Sequence, residues 1–264
     1  MSHTARDFVV HEATLKQLQA LKPNVAVLPW GATEAHNFHL PHGTDIIEAT
    51  RLGERAVERA NAAGARVALL PTVPFGNDNT QLRGQVATIT MRTATQLALL
   101  TDVALSLVAQ GIDRLVVLNF HGGNDFKQLI RDVMFEVPIF IVQVNAFAIA
   151  PYDDLVTIND GDHANEFETS LLLHLTPELV DLPSAADGAY QPFKLKSLRG
   201  PGVWCPRDWQ ALSPSTGTGD PRNADAARGK LIFERIADAV VPVLTELSAA
   251  SQGDFPFLVR PQKP

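Results

Sequence analysis

Glu34, His36, His39, His42 and Asp45 all fall within one stretch, LPWGATEAHNFHLPHGTD, over positions 28–45. Carboxylates and imidazoles gathered on one loop are the donors a divalent metal site needs. Pro29, Gly31, Pro41 and Gly43 shape that loop. Glu34 and His36 stand two residues apart, so on extended backbone their side chains would point opposite ways, and a turn has to bring both to one ion. Asp45 opens a helical pattern and presents a carboxylate able to bridge two ions. Its competing role is to stabilise the helix N-terminus, worth a few tenths to ~1 kcal/mol.

Two further clusters carry the same residue types. His121 lies in NFHGGN over 119–124, directly after an apolar run. Gly122 and Gly123 let backbone approach a ligand closely or adopt positive φ. A phosphate-cradling loop is the other use of a double glycine, but it explains neither His121 nor the 28–45 loop. The third cluster is DHANEFETS over 162–170. If all of it is helical, Asp162, His163 and Glu166 share one face by their three- and four-residue spacings, and Glu168 is expected to point elsewhere. An acidic helix start is the competing reading there. His174, in a run of leucines, reads as a packing histidine, His3 and His11 carry no role, and Cys205 has no evident base partner. No G-x-S-x-G, P-loop or G-x-G-x-x-G occurs, which removes the usual serine hydrolase, NTPase and dinucleotide readings.

These residues need elements to hold them. Apolar runs at 24–28, 66–70, 114–118 and 138–144 read as buried strands, and helical periodicity marks 13–21, 45–62, 93–110, 126–135, 166–175 and 224–248. Thr44 is placed to cap the second helix. Strands apolar throughout and alternating with helices predict a three-layer α/β/α domain with a mainly parallel, doubly wound sheet. In such sheets ligands bind beyond the carboxyl ends of the strands, where the polar stretches at 30–45, 75–85 and 119–125 should converge. The irregular 183–222 segment is too long for a plain connection and is expected to be functional or an interface arm. No repeat or linker divides the chain, so residues 1–264 are read as one domain. The composition is that of a globular protein, 45% apolar and 19% charged, with a net charge of −7 and no basic stripe for nucleic acid. One cysteine excludes an internal disulfide and suits a reducing cytoplasm. No signal peptide or membrane-spanning run is evident, so a cytoplasmic location is expected.

Taken in order, LPWGATEAHNFHLPHGTD, NFHGGN, DHANEFETS and TGTGDPRNADAARGK (216–230) resemble the creatininase (creatinine amidohydrolase) family over nearly the whole chain. The resemblance implies an α/β/α amidohydrolase with two divalent metal ions, Zn and/or Mn with Fe admissible, assembled as a homohexamer. It puts Glu34, His36, Asp45 and His121 on metal-ligand positions with Asp45 bridging, His163 on a catalytic histidine and Asp162 on its catalytic acidic neighbour. Creatininase carries a metal-binding glutamate two residues after the histidine matching His121, where this chain has Gly123. Glu166 is the expected replacement, since its equivalent recurs in HGGN-type members. The implied reaction is cleavage of a non-peptide amide C–N bond, cyclic or acyclic, of a small molecule by a metal-bound hydroxide. The alternatives are a deformylase or peptide-trimming hydrolase of the same family, a one-metal isomerase or lactonase, and a non-catalytic metal or ligand binder. The stretch Asn77–Gln81, with Trp204 and Trp209, supplies candidate substrate contacts.

Overall fold

The structure is a computed structural model that describes residues 6–78, 84–158 and 161–251. Four strands, β1 (Val25–Trp30), β2 (Val67–Leu69), β3 (Arg114–Asn119) and β4 (Phe140–Asn145), form an all-parallel sheet in the order β2-β1-β3-β4. Their β-branched residues are buried on both sides. Val25, Val27, Val67, Leu69, Val116 and Leu118 face one layer, and Ala26, Leu28, Trp30, Leu115, Val117 and Ile141 the other, as the two-residue period of a strand requires.

The first face is covered by α2 (Thr44–Ala62), α5 (Glu166–Leu175) and α7 (Ala226–Ala249), through Leu52, Ala56, Leu171, Ile232 and Ile236. The second is covered by α3 (Thr93–Ala109) and α4 (Lys127–Glu136), through Leu100, Leu107, Leu129 and Val133. A short α1 (Leu15–Leu21) with a capping box and a one-turn α6 (Trp209–Leu212) complete the helices. The sheet is doubly wound as expected. Chain leaving β1 enters α2 on one face, whereas chain leaving the neighbouring β3 enters α4 on the other. The two loops therefore part at the carboxyl ends of β1 and β3 and open a crevice between them.

One local expectation changes. Thr44 is the first residue of α2 rather than its cap, and its hydroxyl donates to the Pro41 carbonyl at 2.7 Å. Gly43 holds the capping position without a side-chain bond, so Asp45 in the first turn is the negative charge nearest the helix N-terminus. Among the described residues, no helix is long and apolar enough to cross a membrane.

Candidate metal centre

The first loop is anchored at both ends. A Cβ at Gly31 would sit 2.7 Å from the backbone of Asp45 and Ile46, so the end of β1 presses directly on the start of α2. Asn37, at φ 54°, supplies the turn that the Glu34–His36 spacing demands, and His36 and Leu40 pair across it. Asparagine tolerates this left-handed conformation better than most residues. Glu34, His36, Asp45 and His121 are thereby brought together, all at most 4% exposed.

Asp45 sits at the middle. Its Oδ1 is 3.0 Å from His36 Nε2 and its Oδ2 2.9 Å from His121 Nδ1, while Glu34 Oε1 is 3.1 Å from His121 Nδ1. Two donor groups result, Glu34–Asp45–His121 and His36–Asp45–Glu168, each with its atoms within 4.8 Å of one another and with Asp45 common to both. A third grouping, Glu34–His36–His163, overlaps them. His36 Nε2 and Asp45 Oδ2 are buried without a well-formed hydrogen bond among the described residues. Such orphaned polar atoms are costly unless something satisfies them. The mixed nitrogen and oxygen donors suit Zn²⁺ or Mn²⁺, so the residues present fit a pair of divalent ions. The His36 tautomer agrees: Nδ1 lies 3.1 Å from the Glu34 carbonyl, which can only accept, leaving the Nε2 lone pair to face the other donors.

With only protons to balance them, the carboxylates and imidazoles shift one another. Burial opposes a charge on His36, but Asp45, Glu168 and Glu34 outweigh it and push its pKa up to about 10. His121 moves up against burial for the same reason, through Glu34, Asp45 and Asp78. Burial works against ionised Asp45, yet His36 and His121 hold it well below the usual carboxylate range. Burial raises Glu34 and Glu168. Glu48, one turn beyond Asp45 on α2, is raised well above the ordinary range by burial and then by Glu168 and Asp45, and neither of its oxygens has a hydrogen-bond partner among the described residues.

Glu166 is not part of this cluster, and the expectation that it replaces the carboxylate missing at Gly123 gives way. It is fully buried, and its oxygens accept from Thr157 N at 2.9 Å, Thr157 Oγ1 at 2.8 Å and Ile158 N at 2.8 Å, with Arg228 Nη1 at 2.8 Å. It ties α5 to the 157–158 loop and to α7. Glu168 stands at the centre instead, its Oε1 4.0 Å from His36 Nε2. The physical reason is where the helix begins. Asn165 caps α5 by accepting from Phe167 N and Glu168 N, and Ala164 is at φ 51°, so Asp162 and His163 lie before the helix and the shared-face rule does not reach them.

His163 approaches from this pre-helical loop. Its Nε2 donates to the Ala35 carbonyl at 2.9 Å, which turns Nδ1 towards Glu34 Oε1 at 3.6 Å. Burial and the charge of His36 lower its pKa to about 3, so it is neutral. Its ring packs on His36, centroids 4.2 Å apart, and on Trp209, 4.7 Å apart. Asp162 is engaged elsewhere: it accepts from Arg207 Nη1 at 2.8 Å and Thr218 Oγ1 at 2.8 Å. Burial works to raise its pKa, but Arg207 and Thr218 prevail and lower it. Arg207 in turn lies 4.6 Å over the Trp209 ring. The irregular 183–222 segment thus closes over His163. Thr218 and His163 exchange backbone hydrogen bonds, and Thr216 Oγ1 donates to the same Ala35 carbonyl.

Other candidates fall outside the cluster. His39 Nε2 meets Thr169 Oγ1 at 2.8 Å, and His42 Nε2 donates to the Val86 carbonyl at 2.8 Å. Trp204 is 84% exposed, Asn77 bonds Thr93, and positions 79–81 of the expected contact stretch lie outside the described residues. His174 packs on Phe233. Residues that sequence reasoning missed are Arg207 and Glu48, together with the roles of Glu168 and Asp78, the latter expected only within a substrate-contact stretch and found facing His121.

A cavity of about 280 Å³ opens onto the centre, walled by Glu34, Asp45, His121, His163, Glu168 and Trp209. A larger groove of about 1050 Å³ between α1 and α3 has Asp102 as its single carboxylate and no histidine, so the chemistry lies in the smaller one. A family model described as Creatininase, creatinine amidohydrolase, matches residues 11–244. The chain is 30% identical over 249 residues to a mycofactocin precursor peptide peptidase of Mycobacterium ulcerans, covering 91% of this chain and 92% of that one. It is similar to the structure of a candidate creatinine amidohydrolase from Bacteroides fragilis, with TM-score 0.89 and 37% identity over 94% of this chain and 98% of the other. Solved creatininases at 21–22% identity, one described as a Zn–Zn type and one as the Mn form, share the fold over 92% of this chain and 99% of theirs, at TM-score 0.74.

Proposed function

The chain belongs to the creatininase family of hydrolases that act on C–N bonds, and on that premise we propose that it hydrolyses an amide bond of a small molecule with two divalent ions, Zn and/or Mn. The observation that carries the reading is Asp45, whose two oxygens each face a different buried histidine. Glu34, Asp45 and His121 would hold one ion, and His36, Asp45 and Glu168 the other. Bound there, the pair would lower the pKa of a shared water towards neutrality and polarise the substrate carbonyl.

The remaining work falls to the chain's own groups. With Nε2 committed to the Ala35 carbonyl, His163 offers Nδ1 as a base on the cavity side. With the resting ring neutral and its pKa lowered to about 3, it can hold a proton there only in passing, between the attacking nucleophile and the departing nitrogen. Trp209 holds that ring in place and excludes water from its far side. Asp162 acts by clamping Arg207 and Thr218, which keeps the 207–218 segment closed over His163, rather than by moving a proton itself.

The cavity volume favours a compact amide, cyclic or acyclic. The similarity to a peptide peptidase supports a second reading, trimming of a peptide end, with the chain entering past Arg207. One domain over residues 1–264, a homohexameric assembly and a cytoplasmic location complete the reading, and sedimentation of the purified protein tests the assembly. The deciding experiment loads the metal-free protein with Zn²⁺ or Mn²⁺ and follows hydrolysis across a panel of cyclic amides, formamides and short peptides. Turnover of one class by the wild type, lost together with bound metal in Asp45→Asn, is expected. Full turnover by metal-free Asp45→Asn, or metal binding without turnover of any amide, would refute it.

A further inference from the structure

We propose that Asp78 is the positioning residue that fixes the His121 ring with Nδ1 turned into the metal centre. The inference rests on the two-ion reading above and adds a residue to it.

The two nitrogens of His121 face opposite ways. Nδ1 lies 2.9 Å from Asp45 Oδ2 and 3.1 Å from Glu34 Oε1, while Nε2 lies 2.9 Å from Asp78 Oδ1. A neutral imidazole has one N–H and one lone pair, and a carboxylate can only accept. Asp78 therefore selects the tautomer with hydrogen on Nε2 and leaves the Nδ1 lone pair free for an ion. A carboxylate behind a histidine ligand does this in many metal sites, orienting the ring and raising its basicity.

The surroundings hold Asp78 to that task. It is fully buried, and no other described residue makes a well-formed hydrogen bond to either of its oxygens, so His121 is the charge it meets. Its backbone N–H donates to Thr90 Oγ1 at 2.8 Å, and that of Asn77 donates to Asn124 Oδ1 at 3.0 Å. Asn124 Nδ2 donates to Asn119 Oδ1, which also accepts from His121 N, so one network registers the 76–78 loop against the His121 loop. Gly76 lets the backbone close over the ring: a Cβ there would come within 2.6 Å of His121 Cδ2 and 3.1 Å of Nε2. The 2.9 Å approach is not in line with the ring N–H, so the contact is a close pairing of carboxylate and imidazole rather than a well-formed hydrogen bond.

The test is ion affinity, measured by competition with a chromophoric chelator for Zn²⁺ and by the visible spectrum of the Co²⁺-loaded protein. In Asp78→Ala one ion should bind about ten- to a hundredfold more weakly, with an altered Co²⁺ spectrum and a retained fold. Asp78→Asn, whose carbonyl still accepts from Nε2, should recover most of the affinity. If the alanine variant does not fold, Asp78→Ser withdraws the carboxylate with less loss of packing and is read the same way. Wild-type affinity and spectrum in the alanine or serine variant would overturn the proposal. Asp45→Asn is measured alongside. If it too keeps both ions, the metal-centre reading itself fails, whereas metal loss there with none at Asp78 refutes Asp78 alone.

Discussion

Exchanging each of two glutamates two residues apart for glutamine should give opposite phenotypes. Glu166 is fully buried and receives three hydrogen bonds from residues 157 and 158 together with the Arg228 guanidinium. In Glu166→Gln one oxygen becomes an NH₂ that points at donors, and Arg228 loses its closer countercharge, keeping only Asp225 at 3.9 Å. Breaking a buried ion pair costs about 3–5 kcal/mol. Arg228 keeps 26% of its side chain exposed and can be partly hydrated, which favours the lower end, about 3 kcal/mol. At about 2–4 °C per kcal/mol for a domain near this size, Tm should fall by about 6–12 °C. Bound metal should be unchanged. Glu168→Gln should do the reverse. It removes one of several crowded carboxylates, beside Asp45 and Glu48, so the metal-free protein should melt at or above the wild-type temperature. The second ion, shared with His36 and Asp45, should be lost on dialysis. Calorimetry of the metal-free proteins and elemental analysis of the loaded ones give both readouts. An ion lost from Glu166→Gln at unchanged Tm, or two ions kept by Glu168→Gln, would refute the assignment of these side chains.

Three further outcomes follow from the geometry. Because His36 stays protonated up to about pH 10, His121 is raised as well and Glu34 is pushed up to about 8, ion loading at pH 7 should release more than two protons per chain. Titration calorimetry in buffers of different ionisation enthalpy counts them, and a count of zero would contradict the arrangement. His39 has its pKa lowered to about 4 by burial and then by His36. Its unfolded value is near 6.5, so the unfolded chain binds the extra proton between the two values. Its stabilising contribution is complete above about pH 6.5 and disappears as pH falls towards 4; urea midpoints should show this slope, shallower in His39→Gln. Finally, Gly31→Ala forces a methyl to within 2.7 Å of the α2 backbone at Asp45. It should cost about 1–3 kcal/mol as overpacking and weaken metal binding with it. A melt and metal content equal to wild type would show that β1 and α2 are not so tightly apposed.

Much of this molecule is legible in its residue order because the determining interactions are local. Unbroken apolar runs such as RLVVL and helical periodicity decide the elements, and their alternation decides a parallel sheet covered on both faces. The 28–45 stretch and His121 stand out because they directly follow β1 and β3, where a doubly wound sheet has one place for its loops to diverge, and the family resemblance narrows the donors to Glu34, His36, Asp45 and His121. What local pattern could not decide is the direction of side chains set by distant partners. Glu166 and Glu168 look equivalent in EFETS, yet Arg228 on α7 and the 157–158 backbone claim the first, and the cap at Asn165 releases the second towards His36. Asp78 faces His121 only because the chain between β2 and α3 folds back over β3, and Trp209 meets His163 across a still longer separation. Contacts of that kind carry no periodicity along the chain, since they arise from loop closure and packing after the sheet has formed. The tertiary structure alone therefore chose Glu168, and alone gave Asp78 and Trp209 their partners beside the half-site already visible at 34–45.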